Sequence, residues 1–153
     1  MLVKKVYLDT CSLQRPLDSK DQIRIALESE AVLIILALCE IDLVDLISSE
    51  ALLFENQRVT NASRSDYALE VLQKAKYFIL LDEEIKDRAR ELSASGIMAL
   101  DALHLASAEK AQADFFCTCD DKLLKKAKPV CEPQMRIVSP VQFLEEVEND
   151  TRS

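Results

Sequence analysis

Three aspartates stand where a folded chain would bring acids together. Asp9 closes the apolar run "VYL", Asp101 opens the alanine-rich "DALHLASAE", and Asp120 follows "FFCT". Glu55, in "ALLFE", is a fourth acid of interest. A carboxylate set between "VYL" and "CSL", as Asp9 is, has little cause to be surface decoration. Carboxylates gathered at one site repel one another and raise each other's pKa values unless a cation lies among them. Oxygen donors without imidazole or thiolate favour a hard divalent ion, Mg2+ or Mn2+. Such an ion can polarise a phosphodiester and activate a bound water, so the chemistry indicated is metal-assisted hydrolysis. Each acid also has a plainer duty open to it. Asp101 and Asp120 could cap helices, and Glu55 could be a solvated charge.

Composition removes several alternatives. Gly96 is the only glycine, so neither a P-loop nor a dinucleotide-binding fingerprint can exist. His104 is the only histidine, which excludes a multi-histidine metal centre. A Ser-His-Asp triad would have to use it without a nucleophile elbow, so packing or local hydrogen bonding is the expectation for His104. The 5 cysteines are odd in number, and "CTC" is C-x-C, which points to reduced thiols and away from structural zinc. The net charge of −8 argues against a broad nucleic-acid footprint. It leaves room for a local one, because Lys122, Lys125, Lys126 and Lys128 follow Asp120, and Arg15 follows Asp9. The N-terminus lacks a signal-peptide layout, and "AVLIILALC" falls well short of the roughly 20 residues that span a bilayer. A cytoplasmic protein without membrane association is expected.

The elements that must carry these acids alternate. "VKKVYL" (3–8) reads as a strand, and "SLQRPLDSKD" as a turn-like segment. Residues 22–40 read as a helix, amphipathic first and then apolar nearly all round. "DLVDLIS" (42–48) is a strand, and Ser48 or Ser49 caps a helix with Glu50 in its first turn. After the polar break 61–65 come a helix over 65–76, the short strand "YFILL", and a helix from "DEEIK" that ends at Gly96. A helix from Asp101 to about residue 113, the strand "DFFCT", the short helix "DKLLKKA", the strand "MRIVS" and a last helix from Pro140 complete the chain. This order predicts a three-layer α/β/α fold around a central parallel sheet of four to five strands. Residues 1–148 form a single domain and 149–153 a frayed tail. Ligands of such sheets bind at the carboxyl ends of the strands, where Asp9 and Asp120 lie.

The pieces "VYLDTCSLQRP", "ISSEALLFE", "GIMALDALHLASAEKAQADFFCTCDDKLL" and "RIVSPVQFL", in this order, resemble the PIN domain, a fold of many metal-dependent ribonucleases that include VapBC-type toxins. The resemblance covers Val3 to Leu144, and its most specific part is D-A-L-H-L-A followed by a strand and T-x-D. It implies that Asp9, Asp101 and Asp120 are catalytic metal ligands, with Thr118 as a supporting hydroxyl. The helix-borne glutamate falls on Glu55, with Glu50 as runner-up because "SSE" leaves the register open, and Asp121 would be an outer ligand. Many members carry Ser or Asn two residues after the first aspartate. Here the residue is Cys11, a poorer hydrogen bonder. The implied protein is an Mg2+- or Mn2+-dependent endoribonuclease with an RNA substrate, and an antitoxin is a candidate partner. Arg15, Lys122, Lys125 and Lys126 would hold phosphates.

Two rivals stand beside this expectation. One is a PIN-like binding or scaffold module with a weak or dead site. The other is a phosphatase with Asp9 as nucleophile, which lacks its D-x-D partner because Cys11 holds that place. The apolar circumference of "AVLIILALCEI" exceeds one core-facing stripe and predicts a homodimer, with full burial inside one chain as the competing explanation.

Overall fold

In the computed structural model, which describes residues 3–152, five parallel strands form one sheet. The elements run β1 (Lys4–Leu8), α1 (Thr10–Gln14), a 3-10 turn (Arg15–Leu17), α2 (Ile23–Glu40), β2 (Val44–Ser49), α3 (Glu50–Gln57) and α4 (Ala62–Leu72). They continue with β3 (Tyr77–Ile79), α5 (Glu83–Ala94), α6 (Ala99–Lys110), β4 (Phe115–Cys117), α7 (Asp121–Ala127), β5 (Arg136–Val138) and α8 (Pro140–Arg152). The strand order is β3-β2-β1-β4-β5. From β1 the chain first winds outward through β2 and β3. It then returns to the other side of β1 with β4 and β5. The order therefore reverses between β1 and β4, which is where an open α/β sheet offers a binding crevice.

β1 is central and pairs on both sides. Val6, Tyr7 and Leu8 are inaccessible to solvent because both faces of a parallel sheet are covered. Fully burying a side chain such as Val6 or Leu8 contributes about 1.5–3 kcal/mol. Tyr7 stacks on Phe116 of β4 at a centroid distance of 5.4 Å, and Phe115 meets Phe143 of α8 edge-on at 4.9 Å. α2 packs against α8, and α5 against α6. Leu8 stands in register with Cys117, which sets Asp9 beside Thr118.

Several local expectations need correction. The segment after Asp9 is helical over Thr10–Gln14 and not merely turn-like, because the Asp9 carboxylate accepts the Ser12 N–H and caps it. α4 begins at Ala62, three residues earlier than expected, with Asn61 as its cap. α6 begins at Ala99, so Asp101 lies inside its first turn and does not cap it. α8 continues to Arg152, so the tail expected from residue 149 is helical; Ser153 lies outside the described residues. Gly96 behaves as expected. It follows α5 at φ +96°, a conformation that costs glycine little. Among the described residues no helix is long and apolar enough to cross a membrane.

Candidate active site

Asp9 leaves the end of β1 with its backbone N–H bonded to the Cys117 carbonyl at 3.2 Å. Its carboxylate is 4% exposed. Burial pushes its pKa up, against the opposing pull of hydrogen bonds from Thr118, Cys11 and Ser12. Cys11 Sγ stands 3.1 Å from Asp9 Oδ1, so the thiol takes up the contact that a hydroxyl or amide would make. Thr118 does more than support Asp9. Its Oγ1 also accepts the Asp120 N–H at 3.1 Å and so joins the two strand ends.

Asp120 caps α7, with Oδ1 accepting from Lys122 N–H at 2.9 Å and Leu123 N–H at 3.3 Å. The residue is exposed. Asp101 projects from the first turn of α6. Burial first, then the charges of Asp9, Glu55 and Asp120, push its carboxyl up to about 6, against an opposing pull from His104. Asp9, Glu55 and Asp120 thus all bear electrostatically on Asp101. None of Asp9, Asp101 and Asp120 forms an ion pair among the described residues.

Glu55 and Glu50 separate clearly. Glu50 Oε1 accepts the Leu81 N–H at 2.6 Å and clamps the start of α3 to the end of β3. Glu55 Oε1 accepts from Thr10 Oγ1 and from His104 Nε2, the latter at 2.8 Å. Burial alone would raise the Glu55 pKa, but the hydrogen bonds from His104 and Thr10, and then the Arg58 charge, hold it below the usual value. Glu55 also bears electrostatically on Asp101, and Glu50 does not share its surroundings. His104 is buried and hydrogen-bonded, as expected, yet its partners are a site acid and the Tyr7 hydroxyl.

Other expected residues are occupied elsewhere. Asp121 is bound by Arg24 through two contacts of 2.6 and 2.7 Å, and this pairing, with the charge it brings, lowers its pKa. That leaves it a poor outer ligand. Arg15 is paired with Asp18 at 2.9 Å, and its Nε lies 3.1 Å from the buried Glu28 in an alignment unsuited to a hydrogen bond. It is therefore not a free phosphate hook. Lys126 Nζ donates to the Gly96 carbonyl at 3.2 Å. Lys122 and Lys125 are exposed, and among the described residues their ammonium groups make no ion pair. The sequence did not announce Arg24 or Glu28, whose partners lie far away along the chain.

The donor set tests well for a hard divalent ion in chemistry and charge: oxygen ligands only, net negative, with an Asp101 carboxyl whose pKa is raised by burial and then by neighbouring acids. In position it is less complete. Among the described residues no three His, Cys, Asp or Glu side chains are gathered closely enough to hold one ion. Asp120 in particular directs Oδ1 to its own helix. A cleft of about 600 Å³ lined by Leu36, Cys39, Tyr67 and Val71 contains none of these acids.

The PIN domain family matches residues 6–129. No curated protein sequence matches at a comparable level. Several solved structures share the fold, among them the following three. FitAcB from Neisseria gonorrhoeae aligns with a TM-score of 0.55 at 16% identity, covering 88% of this chain and 97% of that one. VapBC2 from Rickettsia felis, bound to a DNA fragment from its promoter, aligns with a TM-score of 0.57 at 13% identity, covering 87% and 96%. PAE2754 from Pyrobaculum aerophilum aligns with a TM-score of 0.53 at 17% identity, covering 97% and 99%.

Proposed function

Because this chain belongs to the PIN domain family, we propose that it is a divalent-metal-dependent endoribonuclease. The observation that carries this reading is the set of unpaired acids at the β1/β4 edge, where the charges of Asp9, Glu55 and Asp120 act on a half-buried Asp101. Like charges held together without a base are costly in a folded protein, and a cation offsets that cost.

Asp9, Asp101 and Asp120 would hold the ion. Mg2+ or Mn2+ at this place supplies polarisation of the scissile phosphate and a water of lowered pKa. Thr118 fixes Asp9 and the backbone of Asp120 relative to each other. Glu55, held from one oxygen, is available to orient water. Lys122 and Lys125 offer positive charge to the RNA backbone beside Asp120, a role that Arg15 is too engaged to share. The acidic remainder of the surface would keep binding local.

Two partners follow from the same reading. α2 buries Ala31, Val32 and Ile35 but leaves Leu27, Leu33 and Ile34 exposed. This supports a two-fold mate over full burial within one chain. Light scattering should then give about twice the 17.2 kDa of one chain. The likeness to VapBC2, which bears the name of the toxin–antitoxin type resembled by the sequence, supports an antitoxin partner.

The test is cleavage of a broad pool of single-stranded RNA. The wild type should cut with Mn2+ and stop with EDTA, and Asp120→Asn should not cut. Equal cutting by both proteins would assign the activity to a contaminant. RNA binding without cutting would put the binding-module alternative in its place.

A further inference from the structure

Glu55 terminates a buried chain of hydrogen bonds that the acid site alone does not require. Its Oε1 accepts from His104 Nε2 at 2.8 Å, and His104 Nδ1 lies 2.7 Å from the Tyr7 hydroxyl. That hydroxyl lies 2.7 Å from Ser49 Oγ, which accepts the Leu52 N–H at 3.0 Å. His104 is 1% exposed, and Tyr7 and Ser49 are not exposed at all. The chain joins the C-terminal ends of β2 and β1 to α6 and α3.

Its direction follows from counting hydrogens. The Glu55 carboxylate only accepts, so Nε2 must carry a proton. With a neutral ring, Nδ1 then accepts from Tyr7, and the Tyr7 oxygen accepts from Ser49. Every donor and acceptor finds a partner in that single arrangement. In the reverse arrangement Tyr7 donates to Ser49, whose own hydrogen then has no acceptor among the described residues.

A histidine that merely fills a core needs no such run. Phe116 packs beside Tyr7, and a phenyl ring at position 7 would fill the same space. A buried hydroxyl costs free energy unless it is bonded, so the one on Tyr7 has a use. The useful end is Glu55, where Thr10 and His104 both hold Oε1. Oε2 has no protein partner among the described residues and is not sealed from solvent.

We propose that His104 and Tyr7 are positioning residues: through Ser49–Tyr7–His104 they lock Glu55 by Oε1 and leave Oε2 to orient the attacking water. This assignment rests on the nuclease reading above. His104 touches neither substrate nor reacting atoms and acts only through Glu55.

The single histidine makes the test clean. Nitrogen-15 NMR of the imidazole in EDTA should show the neutral Nε2–H form at pH 7. Tyr7→Phe, which removes one oxygen and keeps the ring, should leave the proton on Nε2 but move the Nδ1 resonance, because Nδ1 loses its hydrogen bond. In the RNA assay with Mn2+, Tyr7→Phe and His104→Gln should lower kcat roughly 10- to 100-fold, the range for residues that orient a ligand from behind. KM should stay within about twofold, since the interaction acts in the transition state. His104→Leu should fall furthest, because glutamine can still donate to Glu55 and leucine cannot. An Nδ1–H form, an Nδ1 resonance indifferent to Tyr7→Phe, or wild-type kcat in Tyr7→Phe would overturn the proposal, and Tyr7→Phe decides it even if His104→Leu does not fold. If the wild type cuts nothing, the nuclease reading falls and the water-orienting role with it, whereas the NMR result still decides whether Glu55 is held.

Discussion

Two groups of carboxylates lie near the β1/β4 edge, and they differ in one respect. Asp18, Glu28 and Asp121 are each met by an arginine, in a chain running Arg64–Asp18–Arg15–Glu28–Arg24–Asp121 with contacts of 2.7, 2.9, 3.1, 3.2 and 2.6 Å. This chain ties α4, the 3-10 turn, α2 and α7 together. Asp9, Asp101 and Asp120 are met by no base among the described residues, although arginines stand close by in the fold. The same side-chain type is thus architecture in one group and an open site in the other. Acidity alone does not mark a site; acidity left uncompensated does.

The largest contrast should come from neutralising one acid in each group. Asp101→Asn removes the carboxylate on which three other acids act. RNA cleavage should fall on the order of 10²- to 10³-fold, as when a transition-state charge loses its stabiliser. Asp18→Asn should leave cleavage far less affected. Comparable losses in both variants would erase the distinction between the groups.

Stability should divide the other way. Arg15→Ala leaves Glu28, with its side chain 4% exposed, without one of its two partners. Because Arg24 still meets Glu28, the cost should lie below the roughly 3 kcal/mol of a fully broken buried pair, at about 1–2 kcal/mol. Urea denaturation checks the figure. A loss under about 1 kcal/mol would place this contact with ordinary surface pairs.

The pH response should also have opposite signs. Asp9 is raised by burial, and Asp101 is raised to about 6 by burial and neighbouring charge. Between about 4, the unfolded value, and about 6, the native state binds more protons at Asp101 than the unfolded chain does. The Asp101 contribution to stability without metal should therefore fall as pH rises through that window. Asp121 is lowered by its bond to Arg24, so its contribution is present above the unfolded value and lost as pH falls through its own. Thermal melts in EDTA from pH 4 to 7 should show the Asp101 effect flattened in Asp101→Asn. Identical pH profiles in the wild type and Asp101→Asn would show that Asp101 is not strained.

The sequence made much of this legible, and the limits have physical causes. Asp9 and Asp120 were readable because strand ends next to helix caps have local signatures: β-branched and aromatic runs, then a short polar side chain. Ser49 and Gly96 were readable for the same reason, and both ends formed as expected. The helix Thr10–Gln14 was missed because Pro16 and the surrounding aspartates favour a turn, whereas the Asp9 cap selects a helix. The arginine chain was not legible at all. Arg24 and Asp121 lie 97 positions apart, and no periodicity joins them. Tyr7 and His104 are also 97 apart. A lone histidine could be noticed, but not its partners. Hence Arg15 and Asp121, plausible by proximity in sequence, turn out to be committed to charges that only the fold brings near.

The smallest effect concerns the surface beside the acids. Lys125→Glu with Lys126→Glu should weaken RNA binding and lower the salt slope by roughly one per lost phosphate contact. An unchanged slope would remove α7 from the RNA path.

Anomalous scattering from crystals soaked in Mn2+ tests the central claim most directly. The account predicts a manganese peak among Asp9, Asp101 and Asp120, with the Asp120 carboxylate turned from its helix toward the ion, and no peak beside Asp18, Glu28 or Asp121. A fully soaked crystal with no peak at the three unpaired acids, or with manganese beside the arginine-paired ones, would contradict it.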